Sequence, residues 1–398
     1  MIIGIIGKPS TGKSTFLKAA TLANVEISPR PFTTIKSNRA TGYVKIRCID
    51  SFFNTQCNPR FGYCLEHNRF VPIDLMDVAG LIQDSYLGRG LGNEFLNDIR
   101  EADALIHIID ISGSTNEKGE QVEPLSYDPL KDVNIIENEL NMWYYQILKK
   151  GWDKFARTVN QEKQNIVRAL SKQLSGLKVT EEHVENSIKK LKLNQDPLIW
   201  SDMNLKELSS ILRKLSKPMI IAANKIDIQG SEKNMERLKE EYKDYIIIPC
   251  SADSELALRE DGKAKLINYI PGENNFEIIN KEKISENQSK ALQYIKKNVL
   301  DKYSNTGIQN VLNRTVFDLL KYIAVFPGGL NKLSDSKGNI LPDCYLLPES
   351  STALDFAYKL HTDFGKNFIK AIDVKTKKII GKEHILKNLD VIEIVVKK

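Results

Sequence analysis

The sequence lacks any hydrophobic run long enough to cross a bilayer: none of its apolar stretches approaches the roughly 20 residues that a membrane helix needs. A secretory leader is not expected either, because the apolar strand at residues 1–7 runs directly into a glycine-rich loop where a cleavage site would stand. We therefore expect a cytoplasmic protein with no membrane partner. Its 398 residues, 41% of them hydrophobic and 27% charged, are typical of a globular protein of two or three domains.

Cysteine is scarce, and the five residues are irregularly spaced, which is typical of reduced thiols rather than of a disulfide framework. Cys48, Cys57 and Cys64 together with His67 could ligate zinc, but no CxxC pair supports a zinc site. We interpret them as ordinary loop cysteines. The net charge is also low, at +6, which permits an RNA or ribosomal partner without requiring one.

What the sequence does contain is a phosphate-binding loop. Residues 7–14 read GKPSTGKS, match the pattern GxxxxGK[ST], and lie between an apolar strand and a helical segment. The glycines let the backbone curl around phosphates, while the loop N–H groups and the helix N-terminus face negative charge. Lys13 is predicted to reach the β- and γ-phosphates and Ser14 to hold Mg²⁺. A nucleoside triphosphate is the predicted ligand.

Further segments predict the surroundings of the γ-phosphate. The proline-bounded PRPFTTI at residues 29–35 offers loop threonines and is a candidate first switch. A strand at residues 70–76 ends in Asp77, which is placed to hold Mg²⁺ through water, and Gly80 can offer its N–H to the γ-phosphate. The glycine-dense GRGLGN at residues 88–93 is either a second switch or an ordinary flexible loop.

The choice of base is predicted by NKID at residues 224–227, which follows an apolar strand. Guanine presents N1–H and N2–H₂ as neighbouring donors that one carboxylate, here Asp227, can accept, and adenine lacks both. Lys225 is predicted to pack over the ring and Asn224 to tie the loop together. A later strand end at residues 246–252 supplies small residues whose backbone N–H groups can approach the guanine O6.

The pattern of apolar residues predicts an α/β protein whose strands are interrupted by a helical block. The continuous apolar strand at residues 104–110 suits a parallel sheet, and His107 inside it reads as a core histidine. A β, α, β, β succession near the end (residues 344–347, 353–361, 368–373 and 391–396) suits a small ubiquitin-like grasp fold that binds partners. The predicted units are residues 1–127 and 217–322 for the nucleotide domain, 128–216 for an inserted helical module and 323–398 for the grasp domain.

Taken together, these residues resemble the Obg-like GTPases of the YchF type, in the archaeal branch that keeps NKxD. The resemblance rests on residues 7–14, the PFTTI of residues 31–35, DVAGL at 77–81, GRGLGN, and the C-terminal STA at 351–353 and KLHTD at 359–363. The last two are similar to a TGS domain. The resemblance covers essentially the whole chain.

The resemblance implies a Ras-like G domain that uses GTP/GDP and Mg²⁺, with ribosome or RNA partners reached through the helical and TGS domains and no DNA partner. It implies that Thr34 is the threonine that contacts Mg²⁺ and the γ-phosphate. The implied catalytic residues are Lys13, Thr34 and Gly80, and the implied metal contacts are Ser14, Thr34 and Asp77. The nucleotide contacts would be Gly7, Lys8, Pro9, Ser10, Thr11, Gly12, Lys13, Ser14, Thr15, Asn224, Lys225, Asp227, Ser251 and Ala252.

Two departures from related GTPases bear on hydrolysis. Leu81 stands where Ras-like GTPases place a water-orienting Gln, which predicts slow intrinsic turnover. Ser10 replaces an Asn that helps bind an activating K⁺ in related GTPases, so the resemblance does not imply potassium activation.

Two alternative functions stay open on the sequence. The first is an ATPase of the same fold, although ATP-using relatives lack the full NKxD and carry a histidine after the strand ending at Asp110, and this chain has none between Ser112 and Tyr127. The second is a nucleotide-gated RNA- or ribosome-binding module with negligible hydrolysis.

Overall fold

The computed structural model describes residues 1–22, 39–78 and 98–397. Both candidate switches, and with them Thr34, Gly80 and Leu81, lie outside the described residues. None of the helices in the described ranges combines the length with the apolar character that a bilayer crossing requires.

The main sheet carries the phosphate loop at its centre. Its strands run in the order β2-β4-β1-β5-β6-β7, with β3 beside β4. Strands β4, β1, β5, β6 and β7 are parallel, whereas β2 and β3 pair antiparallel with β4. The bounds are β1 (Ile2–Ile6), β2 (Arg39–Arg47), β3 (Tyr63–Leu65), β4 (Asn68–Asp77), β5 (Ala104–Asp110), β6 (Met219–Asn224) and β7 (Ile246–Pro249). The carboxyl ends of the parallel strands therefore meet at one edge, where ligands bind in open α/β sheets.

Helices cover both faces of this sheet, which explains why β5 and β6 are buried along their whole length. Helix α1 (Lys13–Thr21) follows the phosphate loop directly. Beyond β6, the chain forms α7 (Ser231–Glu241), α8 (Ala252–Lys263), a small pair of strands β8 (Ile267–Asn268) and β9 (Glu277–Ile278), α9 (Glu286–Ile295) and α10 (Ile308–Arg314). The last two helices continue through wider π-helical turns at Lys296–Leu300 and Thr315–Leu319.

The segment between β5 and β6 is helical, as its apolar spacing predicts. It comprises α2 (Leu130–Lys149), α3 (Trp152–Gln161), α4 (Ile166–Gln173), α5 (Glu181–Leu191) and α6 (Asp202–Ser216). The sequence pattern missed α3, which begins at Trp152 immediately after Gly151 has adopted a positive φ of 77°. Trp152 stacks on Trp200, so aromatic packing within the module stabilises this short helix.

The C-terminal unit is a second sheet with helices on one face. Its strands run in the order β11-β10-β14-β12-β13, with β10 parallel to β14 and the other pairs antiparallel. The bounds are β10 (Tyr322–Pro327), β11 (Tyr345–Pro348), α11 (Ala353–Leu360), α12 (Thr362–Lys366), β12 (Phe368–Asp373), β13 (Lys378–Ile380) and β14 (Asp390–Val396). The predicted succession missed β10 and β13. Phe356 of α11 packs with Ile323 and Val325 of β10, which gives the unit its own core.

Candidate functional site

The phosphate loop is held in shape by glycines and by its own lysine. Gly7 and Gly12 have positive φ angles. A Cβ at Gly7 would lie 2.4 Å from the Ile108 carbonyl oxygen, and a Cβ at Gly12 would lie 2.2 Å from Asn224 Nδ2. The Lys13 ammonium donates to the carbonyl oxygens of Gly7 and Lys8, both at 2.8 Å. The loop therefore curls around the Lys13 ammonium, which lies in the hollow where loops of this pattern bind phosphate.

Asp77 and Ser14 supply oxygen atoms beside the loop. Asp77 ends β4 and lies opposite Ile5 of β1, while Ser14 is exposed at the start of α1. Burial raises the pKa of Asp77, against the opposing effect of Lys13, and burial lowers the pKa of Lys13, against the opposing effect of Asp77. The carboxylate of Asp77 and the hydroxyl of Ser14 are oxygen donors of the kind that Mg²⁺ prefers.

Asn224 joins the three loops of the site. Its side-chain amide donates to the Thr11 carbonyl oxygen at 2.8 Å, and its side-chain oxygen accepts from the Ala252 N–H at 2.9 Å. Asn224 is buried, so both backbone groups depend on it. The Ala252 N–H predicted to approach the guanine O6 is therefore engaged by Asn224. Neighbouring Ser251 is buried and its hydroxyl donates to Ser254 Oγ at 2.7 Å.

Asp227 lies just beyond the end of β6 and is half-buried. Its backbone carbonyl accepts a hydrogen bond of 2.9 Å from the Tyr294 hydroxyl, so α9 supports the loop that carries the predicted base contact. Burial and the neighbouring Asp227 carboxylate raise the pKa of Asp253. Sequence patterns missed both Tyr294 and Asp253, because neither belongs to a motif.

Lys225 points toward a hydroxyl-rich turn after β5. Its ammonium lies 2.9 Å from an oxygen of the fully buried Asp110. Burial would raise the pKa of Asp110, but hydrogen bonds from Ser112, Lys225 and Ser114 outweigh that effect and hold the pKa below its ordinary value. A carboxylate followed by Ser112, Ser114 and Thr115 is a local signal that could have revealed this turn.

Lys8 connects the phosphate loop to the helical segment. Its backbone carbonyl faces Lys13, but its ammonium donates to the Thr115 carbonyl at 2.8 Å and lies 2.9 Å from Asp132 in α2. The Tyr127 ring lies 3.9 Å below the ammonium, and the Tyr127 hydroxyl donates to the same carboxylate. The charge of Lys8 is therefore used for a buried ion pair with α2.

The remaining predicted loop residues occupy varied positions. Pro9 is exposed and touches Gly119, where a Cβ would come within 2.6 Å of the Pro9 Cβ. Ser10 is exposed with a positive φ of 64°, and Thr11 is buried with its hydroxyl donating to the Lys8 carbonyl. Thr15 lies half-buried in the first turn of α1.

Three family profiles match successive parts of the chain. Residues 2–139 match the profile described as a 50S ribosome-binding GTPase, and residues 222–328 match the one described as an Obg-like GTPase YGR210-like, G4 motif-containing domain. Residues 336–396 match the TGS domain. These matches agree with the mostly parallel sheet and the C-terminal grasp-like sheet, and they confirm the predicted fold class.

Similar whole proteins are found in several organisms. An uncharacterized GTP-binding protein of Methanocaldococcus jannaschii is 47% identical over 99% of this chain and 98% of its own length. An uncharacterized GTP-binding protein of Schizosaccharomyces pombe is 34% identical over 89% of this chain and 88% of its own. A crystal structure of a GTP-binding protein from Pyrococcus horikoshii superposes with a TM-score of 0.79 at 37% identity, with both chains fully covered. A protein of Buchnera aphidicola that is 29% identical, over 94% of this chain and 88% of its own, bears the name ribosome-binding ATPase YchF.

Proposed function

Because this chain belongs to the YchF-type family of Obg-like GTP-binding proteins, we propose that it hydrolyses GTP to GDP and phosphate as a Mg²⁺-dependent switch. The observation that supports the proposal best is the double hydrogen bond of Asn224 to Thr11 and Ala252. This side chain couples the phosphate loop to the NKxD segment, so a nucleotide bound by its phosphates would present its base near Asp227.

In the proposed mechanism, the chain acts by positioning and by electrostatic stabilisation. Lys13 and the loop N–H groups would stabilise the charge that develops on the transferred phosphoryl group. Ser14, Thr34 and Asp77 would hold Mg²⁺, which neutralises charge on the β- and γ-phosphate oxygens, and the Gly80 N–H would contact the γ-phosphate. Leu81 offers no group to orient water, so we expect slow turnover without a partner.

The choice of guanine is tested with Asp227→Asn. The substitution turns one acceptor oxygen into a donor and removes the negative charge, so one hydrogen bond to guanine is lost and the other is made to a neutral acceptor. We therefore expect GTP affinity to fall by about a hundredfold. XTP affinity should rise, because xanthine presents an acceptor where guanine presents its amino group. Displacement of a fluorescent GDP analogue measures both, and the exposed Asp244→Asn serves as the control. Unchanged guanine preference in Asp227→Asn would refute the assignment.

An ATPase of the same fold is the second candidate, because relatives at 27–29% identity bear the names ribosome-binding ATPase and Obg-like ATPase. Competition of ATP and GTP against the same fluorescent GDP analogue separates the candidates. We expect GTP to compete much more strongly, and equal competition would favour the ATPase.

We further propose a cytoplasmic protein that acts on the ribosome, with residues 128–216 and 323–398 contacting RNA or ribosomal proteins. This proposal draws on the profile described as ribosome-binding and on the relatives of that name. Co-sedimentation with ribosomes is expected to differ between GDP and a non-hydrolysable GTP analogue, and sedimentation in neither state would contradict it.

Whether the chain is an enzyme or only a nucleotide-gated binding module is decided by single-turnover hydrolysis with and without ribosomes. We expect measurable hydrolysis that ribosomes accelerate. A rate equal to that of free GTP under both conditions would leave only the binding module.

A further inference from the structure

Three cysteines and an aspartate converge in a loop at the end of β2 and β4 that is opposite to the nucleotide site. This cysteine loop, residues 48–64, begins at Cys48 after β2 and passes Asp50 in the 3₁₀ turn Ile49–Phe53. It then reaches Cys57 and returns along β3 with Cys64. Cys48, Cys57 and Asp50 are buried, and Cys64 is half-buried. From the sequence, these three cysteines with His67 could ligate zinc, but the want of a CxxC pair favours ordinary loop cysteines, and Asp50 was missed. The fourth group beside the cysteines is Asp50, not His67.

The four side chains have the spacing of a metal site. One ligand atom from each lies within 4.8 Å of all the others, and the Sγ atoms of Cys48 and Cys57 are 3.5 Å apart. A disulfide would require about 2.05 Å. Two sulfurs bound to one tetrahedral Zn²⁺ at about 2.3 Å each lie about 3.8 Å apart. The observed separation is therefore close to that of two thiolates on one zinc ion.

Asp50 is oriented toward the sulfur atoms by its neighbours. One carboxylate oxygen lies 2.9 Å from His67 Nδ1, and the other accepts from the Cys57 N–H at 2.9 Å and lies 4.0 Å from Cys64 Sγ. Asp50 is fully buried, and the imidazole of His67 is the one basic side chain that the described residues place at ion-pair distance from it. Buried carboxylates are usually paired with a cation or bound to a metal, and ligating carboxylates are themselves hydrogen-bonded.

We propose that Cys48, Cys57, Cys64 and Asp50 bind one Zn²⁺ ion, with His67 orienting the Asp50 carboxylate. Four protein ligands without an open position are typical of structural zinc, and thiolates favour zinc over magnesium or calcium. Binding requires deprotonated thiols, so three protons leave the cysteines as the ion binds.

The proposed ion would stabilise the surface on which the C-terminal unit docks. Between Cys57 and Cys64, the N–H groups of Asn58 and Arg60 donate to the carbonyls of Ile340 and Pro342, both at 2.9 Å. Arg60 also forms an ion pair with Asp335 at 3.2 Å. The ligands flank these contacts on both sides, so zinc would hold the cysteine loop in the shape that the C-terminal unit requires.

The site is tested first by metal analysis of the full chain purified without added metal or chelator. We expect about one zinc ion per chain in the wild type. The zinc content should fall at least about tenfold in Cys48→Ser and in Cys57→Ser. Cys344→Ser removes a half-buried thiol outside the cluster and should keep its zinc. Wild-type chain without zinc, or ligand variants that retain it, would overturn the proposal.

A second measurement covers the case in which a ligand variant fails to fold. Wild-type chain stripped by a chelator is titrated with Co²⁺, and a sulfur-to-cobalt charge-transfer band is expected at about one equivalent. No band from a chain that keeps its native circular dichroism would overturn the site. Amide hydrogen exchange at residues 57–60 and 338–343 should accelerate when the metal is removed, and unchanged exchange would overturn the docking role.

Discussion

At the scale of single residues, His107 is the least satisfied polar side chain of the central sheet. It is fully buried in β5, and neither ring nitrogen has a hydrogen-bond partner among the described residues. Burial, together with the positive charge of Lys13, lowers its pKa to about 3. The prediction of a core histidine agrees with this burial, and the ring is neutral at physiological pH.

A neutral buried histidine makes stability depend on pH. Unfolded His107 titrates at about 6.5, so between that value and the folded pKa of about 3 the unfolded chain binds the extra proton. Keeping His107 buried and neutral therefore costs no free energy above about pH 6.5, but it lowers the free energy of unfolding progressively as the pH falls below that value. We expect His107 to lower the free energy of unfolding by about 1.4 kcal/mol between about pH 7.5 and about pH 5.5.

His107→Leu should remove that pH-dependent part and keep or raise stability at neutral pH, because no hydrogen bond is lost with the ring. Urea unfolding at the two pH values measures this difference, with the exposed His384→Leu as the control. An equal pH dependence in wild type and His107→Leu would contradict the prediction.

At the scale of structural elements, the phosphate loop is fastened to the turn after β5 and to α2. The buried pair of Lys8 and Asp132 forms one attachment, and the contact of Gly119 with Pro9 forms the other. The first attaches the phosphate loop to α2, and the second attaches it to the turn after β5.

Breaking the buried pair on one side should cost more than removing both charges. Lys8→Met leaves the Asp132 carboxylate without its cation, and we expect a loss of about 3–5 kcal/mol in the free energy of unfolding. The double variant with Asp132→Asn, which keeps an acceptor for the Tyr127 hydroxyl, should recover part of that loss. A double-mutant cycle by urea unfolding measures the coupling, and strictly additive effects would show that the pair is not coupled.

Two glycines provide a matched test of the second attachment. Gly119 and Gly338 both have positive φ angles, 81° and 87°, but a Cβ at Gly119 meets Pro9, whereas a Cβ at Gly338 meets nothing within 4 Å. Both alanine variants should lose about 1 kcal/mol from backbone strain. Only Gly119→Ala should also weaken binding of the fluorescent GDP analogue, and equal affinities would show that the Pro9 contact does not shape the phosphate loop.

At the scale of the whole molecule, the C-terminal unit packs directly on the nucleotide domain. Ala324, Phe326 and Val391 share one hydrophobic core with Ile3 and Ile73 of the main sheet. Arg69 of β4 is buried, and its guanidinium donates to the carbonyls of Leu341 and Pro342 at 3.0 and 2.9 Å. The two sheets are thus joined by apolar packing and by a buried cation.

Arg69→Met should weaken this junction, because among the described residues it leaves the buried Leu341 carbonyl without a donor, at a cost of about 1–3 kcal/mol. The Pro342 carbonyl loses one donor but keeps the Arg60 N–H. We expect calorimetry to show the C-terminal unit unfolding at a lower temperature than the nucleotide domain, with binding of the GDP analogue preserved. The exposed Arg47→Met should leave the unfolding profile unchanged. If Arg69→Met instead unfolds in a single calorimetric transition that is merely shifted to lower temperature, the C-terminal unit does not unfold separately from the nucleotide domain.

The fold class could be predicted because its signals are local. The strand, loop and helix around residues 7–14, the helical spacing between β5 and β6, and the strand ends at Asp77 and Asn224 each lie within one short segment. The strands β10 and β13 and helix α3 were missed, because short elements of this kind owe their stability to tertiary packing more than to their own sequence. Thr34 and Gly80 lie outside the described residues and stay predictions.

The sequence by itself determined that the chain carries a phosphate-binding loop and an NKxD segment, since the residues of each motif are contiguous and their spacing is a property of the chain. Only the tertiary structure decided which distant groups meet. It brought Asn224 to Thr11, turned the Lys8 side chain toward Asp132, and gathered three cysteines that no spacing rule connects. The physical reason is that sheet order and packing bring together groups far apart in the chain, and linear spacing does not encode those distances.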